Sequence, residues 1–198
     1  MVAEKVVKEK IASIILAGGE SRRMGRPKLS LKLKGKTLLE LAISKARNVS
    51  NEVFVIVGAY PEVYEPIAKK AGAQVLQNSE WQEGLGTTLR TGIEALGARY
   101  TSVLALLADQ PFVDETHLNA LLNKQLEAGA DLVFSSYDNV QGPPVVISQS
   151  LFTYAKTLKG KCGAKALIQA DTRVESVGLE HYFDIDTPED AQMYGLTE

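Results

Sequence analysis

Short apolar runs of strand character alternate along this chain with longer segments of helical period, and no other feature restricts the available folds as much. A helical segment between two strands carries the chain back so that the second strand runs parallel to the first. The runs are Ala12–Leu16, Glu52–Val57, Gln74–Leu76, Ser102–Leu107 and Asp131–Ser136. Between them, Thr37–Val49 places Leu38, Leu41, Ala42 and Ala46 at helical spacing, and Thr37 with Glu40 has the pattern of a capping box. His117–Leu126 follows Asp114, a suitable N-cap, and repeats Leu118, Leu121 and Leu122 on one face. The pattern predicts an α/β fold of three layers, α/β/α, around a mostly parallel sheet.

After Ser136 the rhythm changes, because Gly142, Pro143 and Pro144 interrupt the chain just before Val145–Ile147. We expect an inserted substrate lobe over about 137–165 within a single domain spanning 1–198, preceded by a leading extension at 1–10. The chain returns through a helical segment, Ala164–Gln169, to a strand at Phe183–Asp186. Thr187, Pro188, Glu189 and Asp190 then open a last helix.

A length of 198 residues suits one domain with a substantial core. Apolar residues at 45% and charged residues at 23% fit a folded globule rather than a disordered chain. The net charge of -2 is spread along the sequence, so there is no footprint for nucleic acid or for an acidic membrane surface, and a small-molecule partner is expected. The longest apolar stretches, Ile14–Ala17 and Val103–Ala108, fall far below the roughly 20 residues of a membrane-spanning helix. The opening MVAEKVVKEK lacks the apolar centre of a secretory signal, and Cys162, the single cysteine, has no internal partner for a disulfide. A cytoplasmic location is the expectation.

The segment that carries most chemistry is LAGGESRRMGRPK, Leu16 to Lys28, directly after the first strand. Backbone N–H groups can close on phosphate oxygens only where side-chain bulk does not hold them off, and Gly18, Gly19 and Gly25 meet that need. Arg22, Arg23 and Lys28 supply charge to neutralise a triphosphate, guanidinium as a fork and ammonium as a point charge. Two other phosphate motifs are excluded. The strand-one turn has no GxGxxG, and Gly35-Lys36-Thr37 lacks the earlier glycine of a P-loop, Ser30 standing there, so Gly35 and Lys36 read as a turn before the helix.

LAGGESRRMGRPK resembles the signature loop of the molybdenum cofactor nucleotidyltransferases, a branch of the sugar-nucleotide pyrophosphorylase-like fold whose cytidylyl members carry LAAGxSxRMGxxK. Further blocks agree in order: Asn78, Trp81, Gly84 and Gly92-Ile93 resemble NxxWxxG…SLxxGI, Leu107-Ala108-Asp109-Gln110-Pro111 resembles LGDQP, and Phe183 to Pro188 resembles the terminal DIDTP. The resemblance runs from Leu16 to Asp190 and implies a nucleotide-diphospho-sugar transferase, Rossmann-like architecture. This sequence departs from the pattern at three places. Gly18 stands where the cytidylyl branch has alanine and the guanylyl branch glycine, Pro143 where a GHP turn has histidine, and Lys161 where GDxGAR has aspartate, the segment reading GKCGAK.

The implied reaction is transfer of CMP from CTP to the phosphate of molybdopterin cofactor, with release of pyrophosphate. Guanylyl transfer from GTP, which Gly18 favours, is the nearest alternative; a sugar-phosphate nucleotidyltransferase and a non-catalytic nucleotide-binding maturation factor docking on a molybdenum enzyme remain open. A Rossmann oxidoreductase is disfavoured by the glycine spacing. The expected nucleotide site comprises Leu16, Ala17, Gly18, Gly19, Arg23, Lys28, Asn78, Gly84 and Asp109, with Gln110, Pro111, Gly142 and Pro144 toward the acceptor. Trp81 reads as a packing anchor. Thr87 and Thr88 precede the apolar pattern Leu89, Ile93 and Leu96, so Gly84–Gly86 is either a plain helix start or a set of N-terminal N–H groups facing an anion.

Asp109 follows the strand Ser102–Leu107, and ligands of open α/β sheets gather at the carboxyl ends of strands. Mg²⁺ takes one or two carboxylates beside phosphate oxygens and water, so a second acid is needed, and Asp186 is assigned that place with Asp184 as its rival. Nucleotidyl transfer places charge on the α-phosphate and on departing pyrophosphate, and the acceptor's ionised phosphate attacks in line without a side-chain nucleophile or base. The two histidines, His117 and His181, are therefore expected at the surface or in packing, with no role in the reaction. Arg23, Lys28 and Asp109 carry the catalytic assignment. Lys28→Ala should lower turnover roughly a hundredfold or more, since a comparable transition-state contact is worth on the order of 3 kcal/mol. A near-normal steady-state rate of pyrophosphate release would remove this lysine from the reaction.

Overall fold

A computed structural model describes residues 10–137, 140–180 and 182–198. Apart from Lys10, the leading extension lies outside these residues, as does His181. Among them, no helix is long and apolar enough to cross a membrane. The elements run β1 (Ile11–Ala17), β2 (Lys32–Leu33), β3 (Lys36–Thr37), α1 (Leu38–Val49), β4 (Glu52–Val57), α2 (Pro61–Lys70), β5 (Gln74–Gln77), α3 (Leu85–Leu96), β6 (Ser102–Leu107), α4 (Glu115–Ala128), β7 (Leu132–Tyr137), β8 (Val140–Ser148), α5 (Phe152–Ala155), β9 (Val174–Gly178) and α6 (Pro188–Met193). Seven strands form one sheet in the order β5-β4-β1-β6-β8-β7-β9, parallel throughout except for β8, which runs antiparallel to both its neighbours.

The side chains of the central strands alternate between two apolar cores, as the period of two in a strand requires. Ile15 and Ala17 of β1, Val53, Val55 and Val57 of β4, and Leu104 and Leu106 of β6 share one core with Ala42 and Ile43 of α1, Tyr64 of α2 and Leu118 and Leu121 of α4. Ala12, Ile14, Phe54, Ile56, Val103 and Ala105 face the other way and share a second core with Leu89 and Ile93 of α3 and Phe152 of α5. The expected three layers follow from this division. Both faces of β1 are covered, which explains why IASIILA reads as a continuous apolar run.

Local signals hold where they rest on capping chemistry. Thr37 Oγ1 accepts from Glu40 N at 3.1 Å while the Glu40 carboxylate accepts from Thr37 N at 2.8 Å, which fixes the start of α1. Asp114 accepts from His117 N at 2.8 Å, and Thr187 with Asp190 makes a second box ahead of α6. Gly35-Lys36-Thr37 lies in a small hairpin, β2 against β3, whose Lys34-Gly35 turn has φ of 52° and 82°.

The region after Ser136 differs from expectation. Val140–Ser148, inside the expected lobe of 137–165, is instead a strand of the central sheet, because the buried Val145, Val146 and Ile147 complete it between β6 and β7. The register of β7 against β8 shifts between Phe134 and Ser135, and the Gly142-Pro143-Pro144 interruption is taken up there. Ala164–Gln169 shortens to a 3₁₀ turn, Ala164–Leu167, and Phe183–Asp186 forms no strand. The sequence reading assigned no element to α2, which has Pro61 in its first turn and Pro66 inside it, or to the edge strand β9.

His117 is buried on α4, with its Nε2 2.8 Å from Ser135 Oγ on β7. Burial holds its pKa below the usual value of 6.5 against the opposing pull of Asp114. The folded chain thus prefers neutral imidazole. Stability is fully present above the unfolded-state pKa and falls as pH drops from 6.5 toward the lower folded value. Denaturant unfolding at pH 7.5 and pH 5 should show the wild type losing more stability than His117→Gln over that interval. Tight packing of α3 gives a second expectation. A Cβ at Gly92 would stand 3.1 Å from Ile14 Cδ1 and 3.3 Å from Ile56 Cδ1, so Gly92→Leu should cost about 1–3 kcal/mol in urea unfolding.

Candidate active site

The chain leaves β1 at Ala17 and enters the glycine-bearing loop at the carboxyl end of the sheet, beside the end of β6. This loop rests against two neighbours that admit no extra atoms. A Cβ on Gly18 would lie 2.6 Å from Thr88 Oγ1, and a Cβ on Gly58 would lie 2.5 Å from the Gly18 carbonyl oxygen. The Gly18 carbonyl accepts from Ala59 N at 3.2 Å, and the Tyr60 hydroxyl donates to the Glu20 carbonyl at 2.9 Å. Farther on, Ser21 and Gly25 adopt φ of 52° and 71°, and the N–H groups of Met24 and Gly25 both donate to the Ser21 carbonyl. The loop turns back in this way, and Pro27 leads into the 3₁₀ turn Lys28–Ser30.

Lys28 then points into the cleft, where its Nζ lies 2.5 Å from Asp109 Oδ2 and 2.8 Å from Asp186 Oδ1. Arg23 reaches the other oxygen of Asp186 at 2.7 Å. Asp109 belongs to the loop after β6, and Asp186 stands just before the Thr187 cap of α6, 77 positions later in the chain. A third apolar cluster brings them together: Ile185, fully buried, packs with Met24, Leu31, Leu38 and Ala191. The Ile185 N–H donates to the Asp109 carbonyl at 2.9 Å, which ties the two acidic segments together through the backbone.

Burial pushes the Asp109 carboxyl above its ordinary value, and the nearby Asp184 and Asp186 charges act the same way against the opposing Lys28 ammonium. For Lys28, burial pulls downward, but the two carboxylates outweigh it and hold the ammonium above its usual range. Asp109 Oδ1 is buried and has no hydrogen-bond partner among the described residues. Two acids converging on one cation, one of them with an unpartnered oxygen, suit a hard divalent cation whose remaining positions go to phosphate and water oxygens. The described residues contain no group of three or more His, Cys, Asp or Glu side chains placed to hold such an ion alone. Of the rival acids, Asp184 is engaged elsewhere: it accepts from Gln110 Nε2 at 3.0 Å and from the Tyr182 hydroxyl at 2.5 Å. Asp186 is the acid whose carboxylate joins Lys28 in the cleft.

A cleft of about 360 Å³ collects Leu16, Ala17, Gly18, Gly19, Arg23, Lys28, Gly84, Asp109 and Asp186 on one wall system, together with Ser21, Arg22, Leu29, Trp81, Leu85, Thr88 and Leu107. Asn78 is not among them. It is 1% exposed, donates through Nδ2 to the hydroxyls of Thr87 and Thr88, and accepts from Glu80 N, so its side chain braces the start of α3 and does not line the cleft. Gln110 is likewise buried on Asp184, and Pro111 directs its carbonyl to Lys45 Nζ; neither faces the cleft. Gly142 lines a separate cavity, whereas Pro144 is buried with its carbonyl on Ser135 Oγ.

The helix begins at Leu85, ahead of Thr87, and the Gly86 N–H is already committed to the Gly160 carbonyl at 2.9 Å, so that amide does not face an anion. Trp81 does more than pack, since it lines the cleft while its Cβ abuts Gly58. Thr88 escaped the sequence reading of the nucleotide site. Its signal was a polar residue at the start of an otherwise apolar helical pattern, and that signal does not say which way the side chain turns.

Three curated relatives align over nearly their whole length with this chain. Purine catabolism protein PucB of Bacillus subtilis is 34% identical over 202 residues, covering 92% of this chain and 95% of that one. Nicotine blue oxidoreductase of Paenarthrobacter nicotinovorans is 29% identical, with 94% and 96% covered. Molybdenum cofactor cytidylyltransferase of Escherichia coli is 23% identical, with 91% and 93% covered. Residues 13–176, which hold the glycine loop, Lys28 and Asp109, match the family described as the MobA-like NTP transferase domain. The match takes in well over half of the sequence, and the chain belongs to that family.

Proposed function

We propose that this protein transfers CMP from CTP to the phosphate of molybdopterin cofactor and releases pyrophosphate. The observation that carries the reading is Lys28 seated between Asp109 and Asp186 at the mouth of the glycine loop. The loop backbone around Gly18 and Gly19 faces the phosphates, with Arg23 and Lys28 opposing the charge that grows on the departing β- and γ-phosphates. The acceptor's phosphate oxygen forms a bond to the α-phosphorus as the bond from that phosphorus to the β-bridging oxygen breaks, and the electron pair leaves with pyrophosphate. Asp109 and Asp186 would hold Mg²⁺, which supplies Lewis-acid polarisation of the phosphoryl oxygens when bound. The acceptor phosphate is ionised near neutral pH, so the chain needs no proton-accepting side chain, in keeping with the burial of His117 away from the cleft.

A second reading, GMP transfer from GTP to the same acceptor, is favoured by Gly18. An alanine there would press its Cβ to 2.6 Å from Thr88 Oγ1, which is itself held by Asn78 Nδ2 at 3.1 Å.

Pyrophosphate release measured with each of the four nucleoside triphosphates, with and without molybdopterin cofactor, should give turnover with CTP only when the acceptor and Mg²⁺ are present. Turnover with GTP instead would select the second reading, and no release under any condition would overturn both. Asp109→Asn and Asp186→Asn should each lower the rate about a hundredfold or more. Chelation of the divalent ion should abolish turnover in the wild type.

A further inference from the structure

Lys45 lies on α1, outside the lining of the cleft, yet its side chain ends on the loop that carries Asp109. Its Nζ donates to the Pro111 carbonyl and to the Val113 carbonyl, at 2.6 Å in both cases. Among the described residues no carboxylate stands within ion-pair distance of it. Burial pulls this ammonium below its ordinary range, and the charges of Asp114 and Glu115 oppose that only in part. Holding a cation here costs free energy, and the two charge-assisted hydrogen bonds to the loop offset that cost.

The two bonds act on Asp109 through a short, stiff piece of chain. β6 is paired to β1 as far as Leu107, opposite Leu16, and Asp109 follows just beyond. Pro111 comes next but one, and its ring fixes φ, so a hold on its carbonyl restricts the rotations left to Asp109 and Gln110. The Val113 carbonyl is held where the Val113 N–H closes a turn on the Gln110 carbonyl at 3.3 Å. Lys45 itself stands on a firm base, since Thr37 with Glu40 fixes the start of α1 and Ala42, Ile43 and Ala46 pack in the same core as Val113. Inside the cleft the Asp109 carboxylate meets Lys28 on Oδ2, while Oδ1 has no hydrogen-bond partner among the described residues. Its placement therefore depends on the backbone behind it, and a small divalent cation with strict ligand geometry tolerates little displacement of a carboxylate.

We propose that Lys45 is a positioning residue for the metal site: by gripping the Pro111 and Val113 carbonyls from α1, it sets where the Asp109 carboxylate meets a divalent cation. The proposal rests on the reading in which Asp109 holds the metal. Asn48, one helical turn farther along α1, is the natural comparison. Its Nδ2 donates to Glu115 Oε1 at 2.7 Å, which also ties α1 to the start of α4 but beyond the loop at 109–113.

Mn²⁺ should be titrated, with water-proton relaxation as the readout, into protein saturated with α,β-methylene CTP or α,β-methylene GTP. The proteins compared are the wild type, Asp109→Asn, Lys45→Met, Lys45→Arg and Asn48→Ala, each shown to be folded by urea unfolding. The Kd for Mn²⁺ should rise about tenfold or more in Lys45→Met, as when a residue that orients a metal ligand is lost. Lys45→Arg, which keeps the charge and the donors, should recover most of that loss, and Asn48→Ala should bind Mn²⁺ as the wild type does. Where Lys45→Met does not fold, Lys45→Gln takes its place, because its shorter side chain does not span both carbonyls. An unchanged Kd in Lys45→Met beside a large rise in Asp109→Asn would overturn the role of Lys45 and leave the metal assignment standing. An equal rise in Lys45→Met and Asn48→Ala, or in Lys45→Met and Lys45→Arg, would overturn that role too. No Mn²⁺ binding by the wild type, or an unchanged Kd in Asp109→Asn, would instead overturn the metal assignment and the role of Lys45 with it.

Discussion

Two carboxylates from segments far apart in the chain are brought onto one lysine, and the arrangement holds only while a cation stays between them. Asp109 and Asp186 repel each other in a partly buried setting where water screens poorly, and the Lys28 ammonium offsets that repulsion from 2.5 and 2.8 Å. Burial works against both partners, raising the carboxyl and pulling on the ammonium, so the contact is costly to form and strongly destabilising to break on one side. Such a pairing suits a site whose charges are meant to be shared with a ligand, since a triphosphate and its metal bring both signs with them.

The apolar packing beneath this group is what makes it affordable in free-energy terms. Ile185 is fully buried with Met24, Leu31, Leu38 and Ala191, so the segment before α6 is pinned to the far end of the first loop. A hydrogen bond from Ile185 N–H to the Asp109 carbonyl then sets the spacing of the two acids. Asp184 faces away to Gln110 and Tyr182, and Tyr182 stacks on Tyr137 with ring centres 3.5 Å apart. One side of the segment serves the cleft, and the other fastens it to β7.

On the opposite wall the same division of labour applies. Asn78 spends its amide on Thr87, Thr88 and Glu80, which frames the first turn of α3, and the missing side chains of Gly18 and Gly58 let that turn and Trp81 close on the loop. The polar residue expected to read the nucleotide is thus a brace, while Thr88, which it braces, lines the cleft. The close approach at Gly18 ties the shape of the loop to a helix that the loop's own sequence does not contain.

The sequence by itself determined what depends on short-range chemistry: strands read from apolar runs at the centre of the sheet, helix starts read from Thr37 with Glu40 and from Asp114, and a glycine-bearing, cationic loop directly after the first strand. It also held Asp109 at a strand end, where neighbours along the chain suffice to place it. The tertiary structure alone decided that Val140–Ser148 enters the sheet against β6 and β7, because strand pairing is a contact between segments remote in sequence, and the Gly142-Pro143-Pro144 interruption concealed it. It likewise decided that Asn78, Gln110 and Pro111 turn inward and that Asp186 rather than Asp184 meets Lys28. The facing of a polar side chain is set by whichever partners packing brings within hydrogen-bond reach, and those partners lie elsewhere in the chain.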